Sequence, residues 1–204
     1  MKRVTVYIIL ILLAAGIVTV FWKQELIYTL PTPLPKNFKP VEPGKEITLS
    51  FDKRKHIKPV FLHFFNPACP CSKFNMKHFK TLVRKYGNEL DFIVIVQTKD
   101  AEASQEKIRN EFDMDAPCIL DRDKKIAEAC GVYSTPQAVI IDTSGKLYYR
   151  GNYNKARYCT DKKSDYAQMA IDSLLKNQKT PVFSALALKS YGCSLPGCKE
   201  SNTK

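Results

Sequence analysis

The sequence predicts an α/β fold: a central mixed β-sheet flanked by helices, preceded by one N-terminal transmembrane helix. Three observations carry this. There is an uncharged run of 19 residues from Val4 to Trp22, apolar strands alternate with helical patterns from Ile47 to Gln178, and a hairpin pattern sits in the second half. Such alternation makes the first strands parallel and covers both faces of the sheet with helices.

The run VTVYIILILLAAGIVTVFW measures about 28 Å as a helix, close to the hydrocarbon thickness of a bilayer. It continues past the small residues Ala14, Ala15 and Gly16 to an aromatic end at Phe21 and Trp22, so residues 1–23 are expected to form an uncleaved anchor. Lys2 and Arg3 before the run nearly balance Lys23, Lys36 and Lys39 after it, and charge alone does not orient it. Seven cysteines favour an oxidising compartment, which puts the domain on the extracytoplasmic (periplasmic) side of the cytoplasmic membrane. LPTPLPKNFKPVEPGKE holds five prolines, and residues 24–46 read as an extended spacer.

The folded domain is expected over residues 47–178. VFLHFF (60–65) is a continuous apolar strand, and Ser72 to Tyr86 carries Phe74, Phe79, Leu82, Val83 and Tyr86 at helical spacing before Gly87 stops it. DFIVIVQ (91–97) is the next strand, followed by a polar helix over 101–112, the short strand CIL (118–120) and a helix over 123–130. QAVIID and KLYYR flank the turn Thr143-Ser144-Gly145, and a last amphipathic helix spans about 164–177. The tail, 179–204, has enough apolar residues in FSALALKSYGCSLPGC to pack as a short helix or loop.

A chain of 204 residues holds one domain with a full core. Lys and Arg outnumber Asp and Glu by 32 to 20, a net +12 that would suit an anionic partner. The basic residues are scattered, however, and no nucleic-acid motif accompanies them. A solvated basic surface is therefore expected, with anionic lipid heads as second choice and no nucleic-acid partner.

NPACPCS falls where the first strand gives way to the first helix, which puts Cys69 at the N-cap and Pro70 at the first helical position. There the positive end of the helix dipole and unpaired N–H groups favour thiolate, which makes Cys69 the expected nucleophile. The usual partner position three residues on, on the same helical face, is Ser72, while Cys71 points largely away. Two mechanisms stay open: Cys69 and Cys71 cycle as a strained dithiol, or Cys69 acts with Ser72 hydrogen-bonding its thiolate and a distant cysteine resolving the mixed disulfide.

FLHFFNPACPCSKF and CILDRDKKIAEACGVYSTPQAVIIDTSGKLYYRG together resemble the thioredoxin superfamily. The likeness is to membrane-anchored thioredoxin-like proteins of the bacterial cell envelope and to thiol-specific antioxidant proteins, over about residues 47–178. It implies a thioredoxin-like fold with a cis peptide at Thr135-Pro136 facing Cys69, and substrate peptides bound along Thr135 and Pro136. Protein or small-molecule thiols, protein disulfides and a membrane electron donor are the implied partners. No tryptophan precedes Cys69 and the second cysteine is displaced by one residue, departures from the family's dithiol pattern. RGNYNKARYC and YGCSLPGC also resemble a branch for which the likeness supplies no substrate.

Of the other cysteines, Cys118 and Cys130 lie in core-like stretches and read as packing residues. Cys159, Cys193 and Cys198 are structural disulfide candidates, with a bridge from Cys159 to Cys193 or Cys198 preferred. His63 reads as a core histidine, and Arg150 and Arg157 as solvated loop residues. A peroxidase would want Thr where Asn66 stands, and a copper-delivery protein a histidine after the cysteines' half of the domain, whereas His56, His63 and His78 all come early. The expected function is thus a membrane-tethered thiol-disulfide oxidoreductase without cofactor or resident metal. A non-catalytic interaction domain and a copper(I)-binding thiol protein are the alternatives.

Overall fold

A computed structural model describes residues 2–24, 30–49, 57–155, 161–179 and 181–197. Helix α1, Lys2–Gln24, contains the apolar run. Strand β1 (Val60–Phe65) leads into α2 (Pro70–Tyr86), β2 (Asp91–Val96), α3 (Gln105–Glu111), β3 (Cys118–Leu120) and α4 (Lys125–Cys130). Then come the short strand β4 (Ser134–Thr135), the hairpin β5 (Gln137–Ile141) and β6 (Leu147–Gly151), α5 (Tyr166–Leu175), α6 (Ala185–Leu188) and β7 (Cys193–Ser194).

The main sheet runs β3-β2-β1-β5-β6. β1, β2 and β3 are parallel, whereas β5 and β6 are antiparallel additions, so the sheet is mixed. β1 is central and wholly buried, which explains its unbroken apolar run. Its alternate residues serve two cores. Phe61 and Phe65 pack with Phe79 and Leu82 of α2 and Ile171 of α5, while Val60, Leu62 and Phe64 face Ile126, Ala127 and Cys130 of α4. Each such side chain contributes roughly 1.5–3 kcal/mol when removed from water.

Helix starts are made by side chains. Ser104 Oγ accepts from Lys107 N (3.1 Å) at α3, and Asp165 caps α5 through Gln168 N (3.4 Å). At α4 the helix begins two residues later than the pattern suggested. The buried carboxylate of Asp121 takes the Ile126 and Ala127 N–H groups (3.1 and 2.9 Å), and Lys124 adopts φ 60. Gly131, at φ 66, ends the helix in the left-handed conformation that suits glycine.

The segment expected as an extended spacer, residues 24–46, is packed on the domain from residue 30 to 46. Val41 is buried in the α4-side core beside Ile47 and Leu49 of the expected domain, the backbone of Glu46 forms an antiparallel β-bridge with that of Lys146, and Phe38 meets Tyr133 edge-on at 4.8 Å. The prolines that stiffen this stretch also keep it extended, a shape suited to lying along other strands. Arg150 takes part as well. Its guanidinium donates to the carbonyls of Val41 (3.0 Å) and Cys130 (3.5 Å), so it is a strap in the fold where a solvated loop residue was expected. Arg157 lies outside the described residues.

The tail is equally integrated. α6 packs under β6, with Asn152 N donating to Ala187 O (2.8 Å) and Asn152 Nδ2 to Leu186 O and Lys189 O (2.8 and 2.7 Å). Beyond it, β7 pairs antiparallel with β4 as a second, two-stranded sheet. Neither of these two-residue strands has a sequence pattern long enough to announce it.

Candidate active site

The turn between β1 and α2 is tied by its own polar groups. Asn66 Oδ1 accepts from Ala68 N (2.9 Å), Asn66 O accepts from Cys69 N (3.0 Å), and Asn66 N donates to Ser72 Oγ (3.3 Å). Asn66 and Ser72 are both buried, so each bond replaces one that water would otherwise make. Pro70 occupies the first helical position and Cys69 the N-cap, with φ −89 and ψ 118. One of the two mechanisms left open by the sequence had Ser72 hydrogen-bonding the Cys69 thiolate. Here its hydroxyl accepts the Asn66 N–H and braces the turn.

Across from the helix end lies the Thr135-Pro136 peptide, which is cis. The Thr135 carbonyl oxygen stands 3.5 Å from Cys69 Sγ, close enough to accept from that thiol once it is reduced. In this structure Cys69 is bonded to Cys193, 124 residues further on, with a Cα–Cα separation of 6.0 Å. Cys69 is buried, with 1% exposure, whereas Cys193 is half-buried. Cys71 is buried and outside the disulfide, and its sulfur lies within 4.8 Å of the other two.

Cys193, which with Cys198 was one of two expected partners for Cys159, is held by Cys69, because β7 delivers it to the helix end. Cys159 and Cys198 lie outside the described residues. Burial pushes the Cys118 thiol up to about 11, and burial reinforced by the Asp121 charge pushes Cys130 up to about 12, so both stay protonated. His63 stacks on Phe79 at 4.4 Å and bonds Tyr153 Oη through Nδ1 (2.7 Å), a core residue on the α2 side of the sheet. Sequence reasoning missed Asn66 as the brace of the turn and Gly192 as a contact of Thr135. The open mechanism in which a distant cysteine resolves the Cys69 mixed disulfide was the sequence reading's hint that another cysteine could join the turn.

A strand, a cysteine turn capping the next helix and a facing cis-proline loop ahead of a hairpin define a thioredoxin-superfamily protein. Solved structures carry the same fold. A hypothetical protein from Sinorhizobium meliloti 1021 superposes with a TM-score of 0.63 at 18% identity, covering 77% of this chain and 95% of that one. An uncharacterised conserved protein from Geobacillus kaustophilus gives 0.62 at 23% identity, covering 81% and 97%. The chain belongs to the family described as domain of unknown function DUF6436, which matches residues 41–195. That match takes in both the proline-rich strap from Val41 and the tail as far as Leu195.

Among curated proteins, the thiol-disulfide oxidoreductase ResA of Geobacillus thermodenitrificans is 30% identical over 91 residues, 44% of this chain and 52% of that protein. ResA of Bacillus cereus is 30% identical over 105 residues, 51% and 58% respectively. The chain thus spans a little over half the length of the curated relatives it matches.

Proposed function

We propose that this chain is a thiol-disulfide oxidoreductase in which Cys69 is the nucleophile and protein thiols or disulfides are the substrates. One observation carries the reading: Cys69 caps α2, faces the Thr135-Pro136 loop and is engaged in a disulfide with a half-buried partner. The helix end stabilises the thiolate, which makes Cys69 both an attacking group and a good leaving group. Thr135 and Pro136 offer the backbone edge beside the reacting sulfur. The likeness to the two ResA proteins supports the same chemistry. Replacing Cys69 by Ser is expected to abolish reduction of a fluorescent disulfide-linked peptide. Unchanged turnover would leave a non-catalytic binding domain.

The proposal includes a single-pass anchor. The helix Arg3–Lys23 has mean hydropathy 2.8 and is long enough to cross a bilayer. With the cysteine-rich domain on the extracytoplasmic side, a membrane electron donor would be within reach of the site. Carbonate-resistant membrane association and protease accessibility of the domain in spheroplasts test this placement. A soluble chain or a protected domain would refute it.

A second reading rests on the sulfur cluster. Three thiolates within 4.8 Å, once the disulfide is reduced, form a soft donor set suited to Cu(I). Stoichiometric copper in protein purified under reducing conditions would favour it over exchange.

A further inference from the structure

The segment 190–195, which contains β7, is held along both edges. On one side Cys193 lies opposite Thr135 and Ser194 opposite Ser134, and Leu195 N donates to Tyr133 O (3.3 Å). On the other, Pro31 bridges Tyr191, and Thr32 donates from N to Ser190 O (2.9 Å) and from Oγ1 to Gly192 O (3.3 Å). Ser190 is buried and accepts from Gln137 Nε2 (2.5 Å), and Leu195 is buried in the α4-side core. Gly192 sits at φ +136 with its Cα against the Thr135 carbonyl, where a Cβ would collide. The tail therefore fills the backbone edge beside Cys69, the place where an extended peptide would add as a strand.

We propose that Cys193 is the resolving cysteine of Cys69, and that β7 is a resident stand-in for the substrate strand. Its return to β4 would expel bound substrate and re-form the Cys69–Cys193 bond in one movement. This rests on the reading of Cys69 as nucleophile. In the reduced protein, the Cys69 thiolate attacks one sulfur of a substrate disulfide, forming a mixed disulfide and releasing the other sulfur as thiolate, which takes a proton. Cys193 thiolate then attacks Cys69 Sγ and displaces the first substrate sulfur, also protonated on leaving. The substrate has gained two electrons and the Cys69–Cys193 pair has lost two. In the opposite direction the same steps run backwards: a substrate thiolate attacks Cys69 Sγ, Cys193 leaves as thiolate and takes a proton, and the second substrate thiolate then displaces Cys69 from the mixed disulfide.

The test uses the full chain, reduced, mixed with one equivalent of oxidised glutathione and acid-quenched for peptide mapping by mass spectrometry, which separates Cys69 adducts from those elsewhere. In the wild type a Cys69–glutathione adduct forms and decays into Cys69–Cys193. With Cys193→Ser it persists on the order of tenfold longer or more. With Gly192→Ala it persists as well, although the Cys193 thiol is present, because the strand cannot reseat against Thr135. Reduction of the wild type also speeds hydrogen exchange at residues 133–135 and 193–195. Decay of the Cys193→Ser adduct at the wild-type rate into Cys69–Cys71 would assign resolution to Cys71 and overturn the proposal. Wild-type decay in Gly192→Ala, or exchange unchanged on reduction, would overturn the strand's part in it. Absence of any Cys69 adduct while other cysteines react would remove the nucleophile reading itself, and this inference with it.

Discussion

Cys69 differs from Cys118 and Cys130 in its place: it stands at a helix end beside the Thr135 carbonyl and is bonded to Cys193, whereas those two lie inside the two cores, Cys118 Sγ donating to Ala116 O (3.7 Å). Those two thiols, raised to about 11 and about 12, are expected to resist iodoacetamide in the folded protein at pH 8. Mass-spectrometric labelling before and after denaturation checks this, and rapid native labelling of either would show the packing to be looser than described. His63 carries the opposite titration. Burial, with the nearby His78 adding to it, lowers it from 6.5 to about 3, so the folded protein holds it neutral where the unfolded chain would protonate it. Its contribution is complete above pH 6.5 and is lost as pH falls toward 3, by up to about 1.4 kcal/mol per pH unit. Urea titrations from pH 7 to pH 4 should show that slope, and His63→Phe should flatten it while lowering stability near neutrality through loss of the Tyr153 bond. An identical slope in the variant would assign the acid sensitivity to other groups.

Helix beginnings decide how the elements are placed. Asp121 is buried and accepts from Gln97 Nε2 (2.7 Å) as well as from two N–H groups of α4, so Asp121→Ala strands three donors in the interior. A loss of roughly 2–4 kcal/mol in chemical denaturation is expected. A loss below about 0.5 kcal/mol would mean that water replaces the carboxylate there. Ser72→Ala removes the acceptor for Asn66 N–H and should cost roughly 1–3 kcal/mol while loosening the cysteine turn. α2 was legible because burial of one face leaves a repeating mark, and β1 because burial of both faces leaves an unbroken apolar run. β4 and β7 were not, because two residues carry no period and their pairing is defined only by the partner strand.

At the scale of the whole molecule, the segment before the first sheet strand works as a strap. It covers the α4-side core through Val41, Ile47 and Leu49, holds Arg150 by the Val41 carbonyl and flanks the tail through Pro31 and Thr32. A chain beginning at residue 30 should therefore unfold cooperatively. One beginning at residue 50 should lose several kcal/mol, since each large apolar side chain removed contributes roughly 1.5–3 kcal/mol. Equal denaturation midpoints for the two chains would show the strap to be dispensable. The same strap is coupled to the tail, because Thr32 and Thr135 hold opposite edges of one segment.

By itself the sequence determined the apolar N-terminal run, the order and type of the long elements, and the place of Cys69 ahead of Pro70. Each of these depends on local composition or on a short repeat: nineteen uncharged residues, a face every turn, a proline after an N-cap. Tertiary structure alone decided that the proline-rich stretch lies on the domain and that Cys69 is bonded to Cys193. These are contacts between residues far apart in the chain, and nothing near Cys69 in sequence encodes a strand that arrives 124 residues later.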